Sequence, residues 1–315
     1  MSQLEQISKA TVKISDLKKG DIILLSPYDQ WDSKLIAIVT NSPVSHGVMS
    51  YYDYNTIVEE NPPCVQTLPI AGKIKGRDAY VVRNKKETLD MEPVVKIAEK
   101  YLNQKDPFTY VSVYTIAIYM LMSEVNLTKE LQQQLIIFFK AASIEVEKYL
   151  KEQKDSDCQP MTCSQFIYEC YNETGEEYKV DLVKTALDTS LLSRVKKVIE
   201  SNPEKYQEME VNLEIDEKFS AEEEIMKLME ETFHSFESGS INDVNDEVIT
   251  DDFAVAFSKF CILFLKTQKI VLGDKDYIKA LDILINNKEF YVTPGDLLVN
   301  TSNFVCLGLL EKIEE

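Results

Sequence analysis

A cysteine stands at the predicted beginning of a helix, in the stretch Met161-Thr162-Cys163-Ser164-Gln165. Thr162 and Gln165 are three residues apart, the spacing of a capping box, so the helix is predicted to begin at Cys163 with Thr162 as its N-cap. Unpaired backbone N–H groups and the helix dipole favour an anion there, and the thiolate is the nucleophilic form of cysteine. Cys163 is therefore a candidate nucleophile, with an ordinary buried core thiol as the alternative interpretation.

A histidine and a carboxylate lie on two consecutive β-prone runs that are predicted to form a hairpin. A turn centred between Tyr52 and Asp53 would place His46 directly opposite Glu59, because facing cross-strand residues point to the same side of a sheet. Glu60 is the alternative if the pairing is shifted by one residue, since side-chain direction alternates along a strand. The sequence therefore offers His46 with Glu59 as an oriented imidazole.

These three residue types together are the groups of a cysteine hydrolase. The imidazole takes the thiol proton, and the carboxylate fixes the imidazole. The N–H of Cys163 and a second donor would then bind the oxyanion. The competing interpretation is a protein without catalysis, which a large separation between His46 and Cys163 would favour.

The pattern of apolar residues predicts an α+β fold, with an antiparallel sheet packed on helices and a last strand returning to that sheet. The predicted domains are residues 1–204 plus 289–315, and a mainly helical, acidic insertion at 205–288, which contains the chain's other histidine, His234, interpreted as a surface residue. Strands are predicted at 22–25, 45–51, 54–60, 64–68, 79–83 and 303–310, and helices at 90–104, 111–122, 129–151, 163–171, 220–236, 253–266 and 277–287. Residues 182–200 are predicted to form one helix or two. The apolar residues 35–40 fit a short helix or a strand, and their periodicity does not decide between them.

Composition limits the classes of partner. A net charge of −19 argues against nucleic acid and anionic lipid surfaces. The N-terminus shows no basic region followed by an apolar run, and the most apolar segments, 111–122 and 253–265, are too short to span a bilayer, so a cytoplasmic location is predicted. The six cysteines show neither disulfide density nor zinc spacing, so no metal or cofactor is expected.

Six short motifs resemble those of the circularly permuted NlpC-like cysteine hydrolases, the YiiX-like branch of the papain-fold amidases. In that family the histidine precedes the cysteine in the chain, and the order His46, Glu59, Cys163 agrees. The matches span residues 17–171 and 291–310. The motifs are Lys19-Gly20-Asp21-Ile22-Ile23, Ser45-His46-Gly47-Val48, Ile57-Val58-Glu59-Glu60-Asn61-Pro62-Pro63, Asp106-Pro107-Phe108, Thr162-Cys163-Ser164-Gln165-Phe166-Ile167-Tyr168 and Thr293-Pro294-Gly295-Asp296-Leu297.

The resemblance implies a permuted papain-like fold in which Cys163 attacks an amide or ester carbonyl through an acyl-thioester, with His46 as base and Glu59 as the orienting residue. Two positions differ from many relatives, which have glutamate in place of Gln165 and tyrosine in place of Phe108. The expected activity is that of an amidase or peptidase. A lipid acyltransferase or thioesterase with the same triad is the alternative, as is a binding protein that meets a partner, or itself, through the acidic insertion.

Overall fold

The computed structural model describes residues 10–61, 64–104, 111–121, 123, 124, 126–152, 160–183, 189–209, 214, 222–237 and 248–313. Over these residues the protein is mixed α and β, with a seven-stranded sheet. No helix in these ranges is both long enough and apolar enough to cross a membrane. The chain divides into two compact units, one within 1–106, 161–185 and 289–315 and the other within 107–160 and 186–288.

The first unit contains the sheet. Its order is β1-β7-β6-β2-β3-β4-β5. The last strand pairs antiparallel with β6, which confirms the predicted return of the chain end. The expectation of a purely antiparallel sheet was wrong, because β1 pairs with β7 in parallel. The strands are β1 (Thr11–Val12), β2 (Ile22–Leu25), β3 (His46–Ser50), β4 (Thr56–Asn61), β5 (Cys64–Pro69), β6 (Ala79–Asn84) and β7 (Phe304–Leu310).

The predicted helices are present, with some shifts at their ends. Residues 35–40, which the periodicity leaves undecided, belong to a helix that begins at Trp31. Within 182–200, the structure describes a helix that begins at Leu191. The helices are α1 (Trp31–Val39), α2 (Ile70–Ile74), α3 (Glu92–Tyr101), α4 (Val111–Met120), α5 (Lys129–Glu152), α6 (Cys163–Asn172), α7 (Leu191–Ser201), α8 (Pro203–Glu208), α9 (Glu222–Glu237), α10 (Asp251–Thr267), α11 (Tyr277–Asn286) and α12 (Pro294–Val299).

Both faces of the central strands are covered, which explains the unbroken apolar run Ile22–Leu25 in β2. On one face, Ile22 and Leu24 join the buried side of α6, and on the other, Ile23 and Leu25 join the apolar residues of α2. The short helix α2 and the helix that begins at Cys163 therefore belong to the cores on opposite faces of the sheet.

The second unit is helical. Its core includes Phe139 of α5, whose ring lies 5.1 to 6.1 Å from the rings of Phe253, Phe257 and Phe260 of α10. These units differ from the predicted domains, since residues 107–160 and 186–204 fall in the helical unit. The physical reason is packing, because α5 packs along α10 and α7 packs along α11.

Candidate active site

Helix α6 begins at Cys163, as the sequence predicts. The Thr162 side chain accepts a hydrogen bond from the Gln165 backbone N–H at 3.2 Å, which is the N-cap half of a capping box. The return bond is not made, since Oε1 of Gln165 is buried without a hydrogen-bond partner among the described residues. Cys163 is buried, with 7% of its surface exposed, and occupies the first helical position. Its backbone N–H is therefore one that the helix's own hydrogen-bond ladder does not use.

The hairpin that carries His46 and Glu59 is present, but its register differs from the predicted one. Met49 pairs with Val58 and Ser50 with Ile57, so His46 does not face Glu59 directly. The cause is the turn, in which the Asp53 carboxylate accepts the N–H groups of Asn55 and Thr56, each at 2.8 Å, and moves the centre one residue along the chain. This moves the pairing by two positions, which keeps both side chains on the same face.

His46 and Glu59 therefore meet diagonally across the hairpin. The His46 Nε2 atom lies 2.6 Å from Oε2 of Glu59, whose side chain is fully buried. The Cys163 thiol is the other close neighbour of the imidazole, and it raises the pKa of His46 through its charge and through hydrogen bonding. Because Glu59 engages Nε2, the other ring nitrogen, Nδ1, is the one left for the thiol. The structure thus brings together all three residues that the sequence singled out.

The electrostatics of the pair follow from these contacts. Burial alone would lower the pKa of His46, but the adjacent Cys163 and Glu59 outweigh it, and the pKa is raised. Burial would likewise raise the pKa of Glu59, but His46 and Lys73 reverse this effect and lower it. Both shifts favour a charged carboxylate beside a charged imidazole, and a protonated His46 in turn favours the thiolate form of its other neighbour.

Two further side chains hold Glu59, and the sequence did not single out either. The ammonium group of Lys73, on α2, lies 2.8 Å from Oε1 and 2.7 Å from Oε2 of Glu59. The amide of Gln66, directly opposite Glu59 on β5, donates to Oε1 at 3.3 Å. Side chains alternate between the two faces of β5, so pairing of β4 with β5 could have predicted that Gln66 lies on the same face as Glu59. No sequence pattern indicates that Lys73 contacts Glu59. Glu59 is thus a carboxylate fixed from three sides.

Close packing sets the approach of α6 to the hairpin. Gly47 follows His46, and a Cβ atom added to it would lie 2.9 Å from Cδ1 of Ile167 on α6. One residue after the thiol, the Ser164 hydroxyl donates to the Val292 carbonyl at 2.6 Å. Beside His46, the Ser45 hydroxyl shares a hydrogen bond of 2.9 Å with Ser33. The helix and the strand are therefore both anchored within one residue of the reacting groups.

The other predicted positions have different outcomes. Glu60, the alternative partner for His46, is buried but does not replace Glu59, which makes the contact. His234 is 61% exposed on α9, beside Glu230, which agrees with a surface role. The motif Asp106-Pro107-Phe108 lies outside the described residues. Within the described part of the chain, no group of histidine, cysteine and acidic residues is arranged to hold a metal ion.

Comparison with known proteins adds no assignment to this geometry. No protein-family model matches the chain, and no curated protein matches it significantly.

Proposed function

We propose that this protein is a cysteine hydrolase, an amidase or peptidase with Cys163 as nucleophile, His46 as general base and Glu59 as the residue that orients the imidazole. One observation carries the proposal. A single imidazole contacts both a buried carboxylate and the thiol at the start of a helix. An ordinary core cysteine requires neither neighbour, whereas nucleophilic catalysis requires both.

The chemistry follows from the contacts. Nδ1 of His46 accepts the thiol proton, and the Cys163 sulfur attacks the carbonyl carbon, whose oxygen becomes an oxyanion near the N–H of Cys163. The oxyanion collapses, the bond to the leaving group breaks, and His46 protonates the departing amine or alcohol. Water, deprotonated by His46, then attacks the acyl-thioester, and the acid product leaves as the thiol reforms.

We also propose that the fold is the permuted papain-like fold of the YiiX-like NlpC hydrolases. Three features support this: the chain order His46, Glu59, Cys163, a helix that starts at the cysteine, and a hairpin that carries the other two residues. The Thr293–Leu297 motif adds a fourth, because Thr293 and Asp296 form a complete capping box at the start of α12. The proposed substrates are peptides or other small amides and esters.

The first test is the rate at which iodoacetamide alkylates Cys163 as a function of pH, read by peptide mass spectrometry. We expect Cys163 to react well below the ordinary thiol pKa of about 8.5, and His46→Ala to remove most of this reactivity. His234→Ala is the matched control, since it removes the other histidine and leaves the rate unchanged. Equal rates in the native protein and His46→Ala would reject the thiol–imidazole pair.

The second test asks whether the pair performs acyl transfer. With p-nitrophenyl acetate, the native protein is expected to form an acetyl-thioester on Cys163 and to turn over, while Cys163→Ala releases no nitrophenol above background. In Glu59→Gln we expect acylation to slow by at least tenfold, because the imidazole loses its orienting charge. Acetylation spread equally over other residues, without dependence on Cys163, would contradict the proposal.

A further inference from the structure

Arg77 is a buried cation at the same end of the sheet as the three residues. Its residue surface is 6% exposed, and it comes two positions before Ala79, the first residue of β6. Leu25 pairs with His46 on one side and with Ala79 on the other. Neighbouring strands are about 4.8 Å apart, so the strand that follows Arg77 and the strand of His46 are separated by two spacings, or about 10 Å. Arg77 interacts electrostatically with both Cys163 and Glu59.

The guanidinium is held on two sides and is unsatisfied on a third. Its Nε donates to the Ser26 carbonyl at 2.5 Å, and its Cζ atom lies 3.8 Å from the centre of the Tyr28 ring. Its Nη2 is buried and has no hydrogen-bond acceptor among the described residues. Burial lowers the pKa of Arg77, although Tyr28, Cys163 and Glu59 oppose this effect. An arginine nevertheless remains protonated in a protein, so the site contains a charged N–H without an acceptor.

A purely structural role does not account for this arrangement. The nearby buried carboxylate, Glu59, already has His46 and Lys73 as charged partners within 2.8 Å. Arg77 is therefore not required to neutralise it. A buried charged donor without an acceptor is costly, and such a cost is usual where a ligand supplies the missing group.

We propose that Arg77 binds a carboxylate of the substrate beside Cys163, so that the preferred substrates carry a free carboxylate close to the carbonyl that is attacked. This inference rests on the proposed hydrolase function. A guanidinium matches a carboxylate in charge and in planar geometry better than any other side chain. Acylated amino acids with a free α-carboxylate and peptides with an acidic side chain near the scissile bond both provide this group.

Tyr28 gives the ligand a way in. Its side chain covers the guanidinium but is itself 38% exposed, and its hydroxyl makes a long hydrogen bond of 3.4 Å to the Lys73 carbonyl. Exposed side chains change rotamer within nanoseconds. In the proposed site, rotation of this ring is the step that would admit a carboxylate to the guanidinium.

The test compares two alkylating reagents that differ in charge. Iodoacetate carries a carboxylate where iodoacetamide carries a neutral amide, and both react with the same thiolate. The ratio of their rates at Cys163 therefore cancels any change in the thiolate fraction. The partly buried Cys64 and Cys306 provide internal reference ratios in the same samples.

In Arg77→Gln we expect the iodoacetate to iodoacetamide ratio at Cys163 to fall about tenfold, the factor for one lost hydrogen bond between charged groups. His46 is present in both proteins, so its charge does not produce the difference. Lys86→Gln removes one exposed positive charge at the other end of β6 and is expected to keep the native ratio. An unchanged ratio in Arg77→Gln, or an equal fall in Lys86→Gln, would overturn the proposal.

The outcomes separate this proposal from the hydrolase proposal. Fast, His46-dependent alkylation by iodoacetamide without an Arg77-dependent preference for iodoacetate would leave the hydrolase standing and reject the carboxylate site. Slow alkylation by iodoacetamide at Cys163, equal in His46→Ala, would reject the hydrolase and the carboxylate site with it.

A measurement on the native protein covers the case in which Arg77→Gln does not fold. We expect N-acetylglycine and N-acetyl-aspartate methylamide to protect Cys163 from iodoacetamide several-fold better than the uncharged N-acetylglycinamide. If N-acetylglycine protects better, the site prefers an α-carboxylate. If N-acetyl-aspartate methylamide protects better, it prefers the carboxylate of an acidic side chain. Equal protection by all three compounds, or none, would contradict the proposed site.

Discussion

Glu59 is a fully buried carboxylate with two cationic neighbours, His46 and Lys73. Its pKa is lowered, so its contribution to stability is present above the unfolded value of about 4.3 and is lost as pH falls through the folded value. The pKa of His46 is raised, so its contribution is present below about 6.5 and is lost as pH rises through its folded value. The pair is therefore expected to stabilise most between about pH 4.3 and about 6.5.

We predict that Glu59→Gln lowers the free energy of unfolding by about 3 to 5 kcal/mol in this window, because it leaves a lysine and a histidine that are both largely buried without their counter-charge. The difference from the native protein should shrink on both sides of the window. Urea titrations at a series of pH values measure it, with fluorescence of Trp31, the single tryptophan of the chain, as the probe. Trp31 lies in the unit that contains the sheet.

Glu87→Gln is the matched control for this prediction. The Glu87 side chain is 73% exposed and lies 3.9 Å from Lys18, so its removal should change stability by less than about 1 kcal/mol. The prediction is contradicted if Glu59→Gln lowers the free energy of unfolding no more than Glu87→Gln does, or by an amount that is constant with pH. The contacts of Glu59 would then not stabilise the protein as described.

At the scale of elements, the reacting geometry depends on how closely α6 approaches β3. Gly47 allows that approach, since an added Cβ would lie 2.9 Å from Cδ1 of Ile167, whose side chain is fully buried. Ile167 is one turn along the helix from Cys163. Any displacement at this contact is therefore passed to the thiol, while His46 stays with its strand.

We predict that Gly47→Ala costs about 1 to 3 kcal/mol of stability through overpacking and slows iodoacetamide alkylation of Cys163 by moving the thiol away from the imidazole. Ile167→Val removes the clashing carbon. The double variant Gly47→Ala/Ile167→Val should therefore recover much of the alkylation rate, which peptide mass spectrometry measures. If the double variant reacts no faster than Gly47→Ala alone, the contact with Ile167 does not position the helix.

The same elements show what the sequence could predict. Local patterns sufficed for the N-cap at Thr162 and for the common face of His46 and Glu59, because capping and strand alternation depend on residues close in the chain. The prediction that His46 and Glu59 pair directly was wrong, because the hydrogen bonds of the Asp53 carboxylate set the centre of the turn. Lys73 could not be found at all, since it reaches Glu59 from a short helix with no distinctive pattern, and only tertiary packing brings it there.

At the scale of the whole molecule, the chain is strongly negative, whereas the proposed carboxylate site is positive. Fifty-three acidic residues against 34 basic ones give a net charge of −19, which repels anionic ligands at long range. Arg77 acts at short range and from a buried position. Salt screens exposed charges much more than buried ones, so the two effects can be separated by ionic strength.

We predict that raising salt from about 0.01 M to about 0.15 M shortens the Debye length from about 30 Å to about 8 Å and raises the ratio of the iodoacetate rate to the iodoacetamide rate at Cys64 and Cys306. The ratio is the quantity to compare, because both reagents respond equally to any change in the thiolate fraction. The difference between the native protein and Arg77→Gln at Cys163 should persist at the higher salt, because a contact between a buried guanidinium and a carboxylate is screened weakly. Its disappearance at about 0.15 M salt would mean that Arg77 contributes only to the general field of the protein and binds no carboxylate.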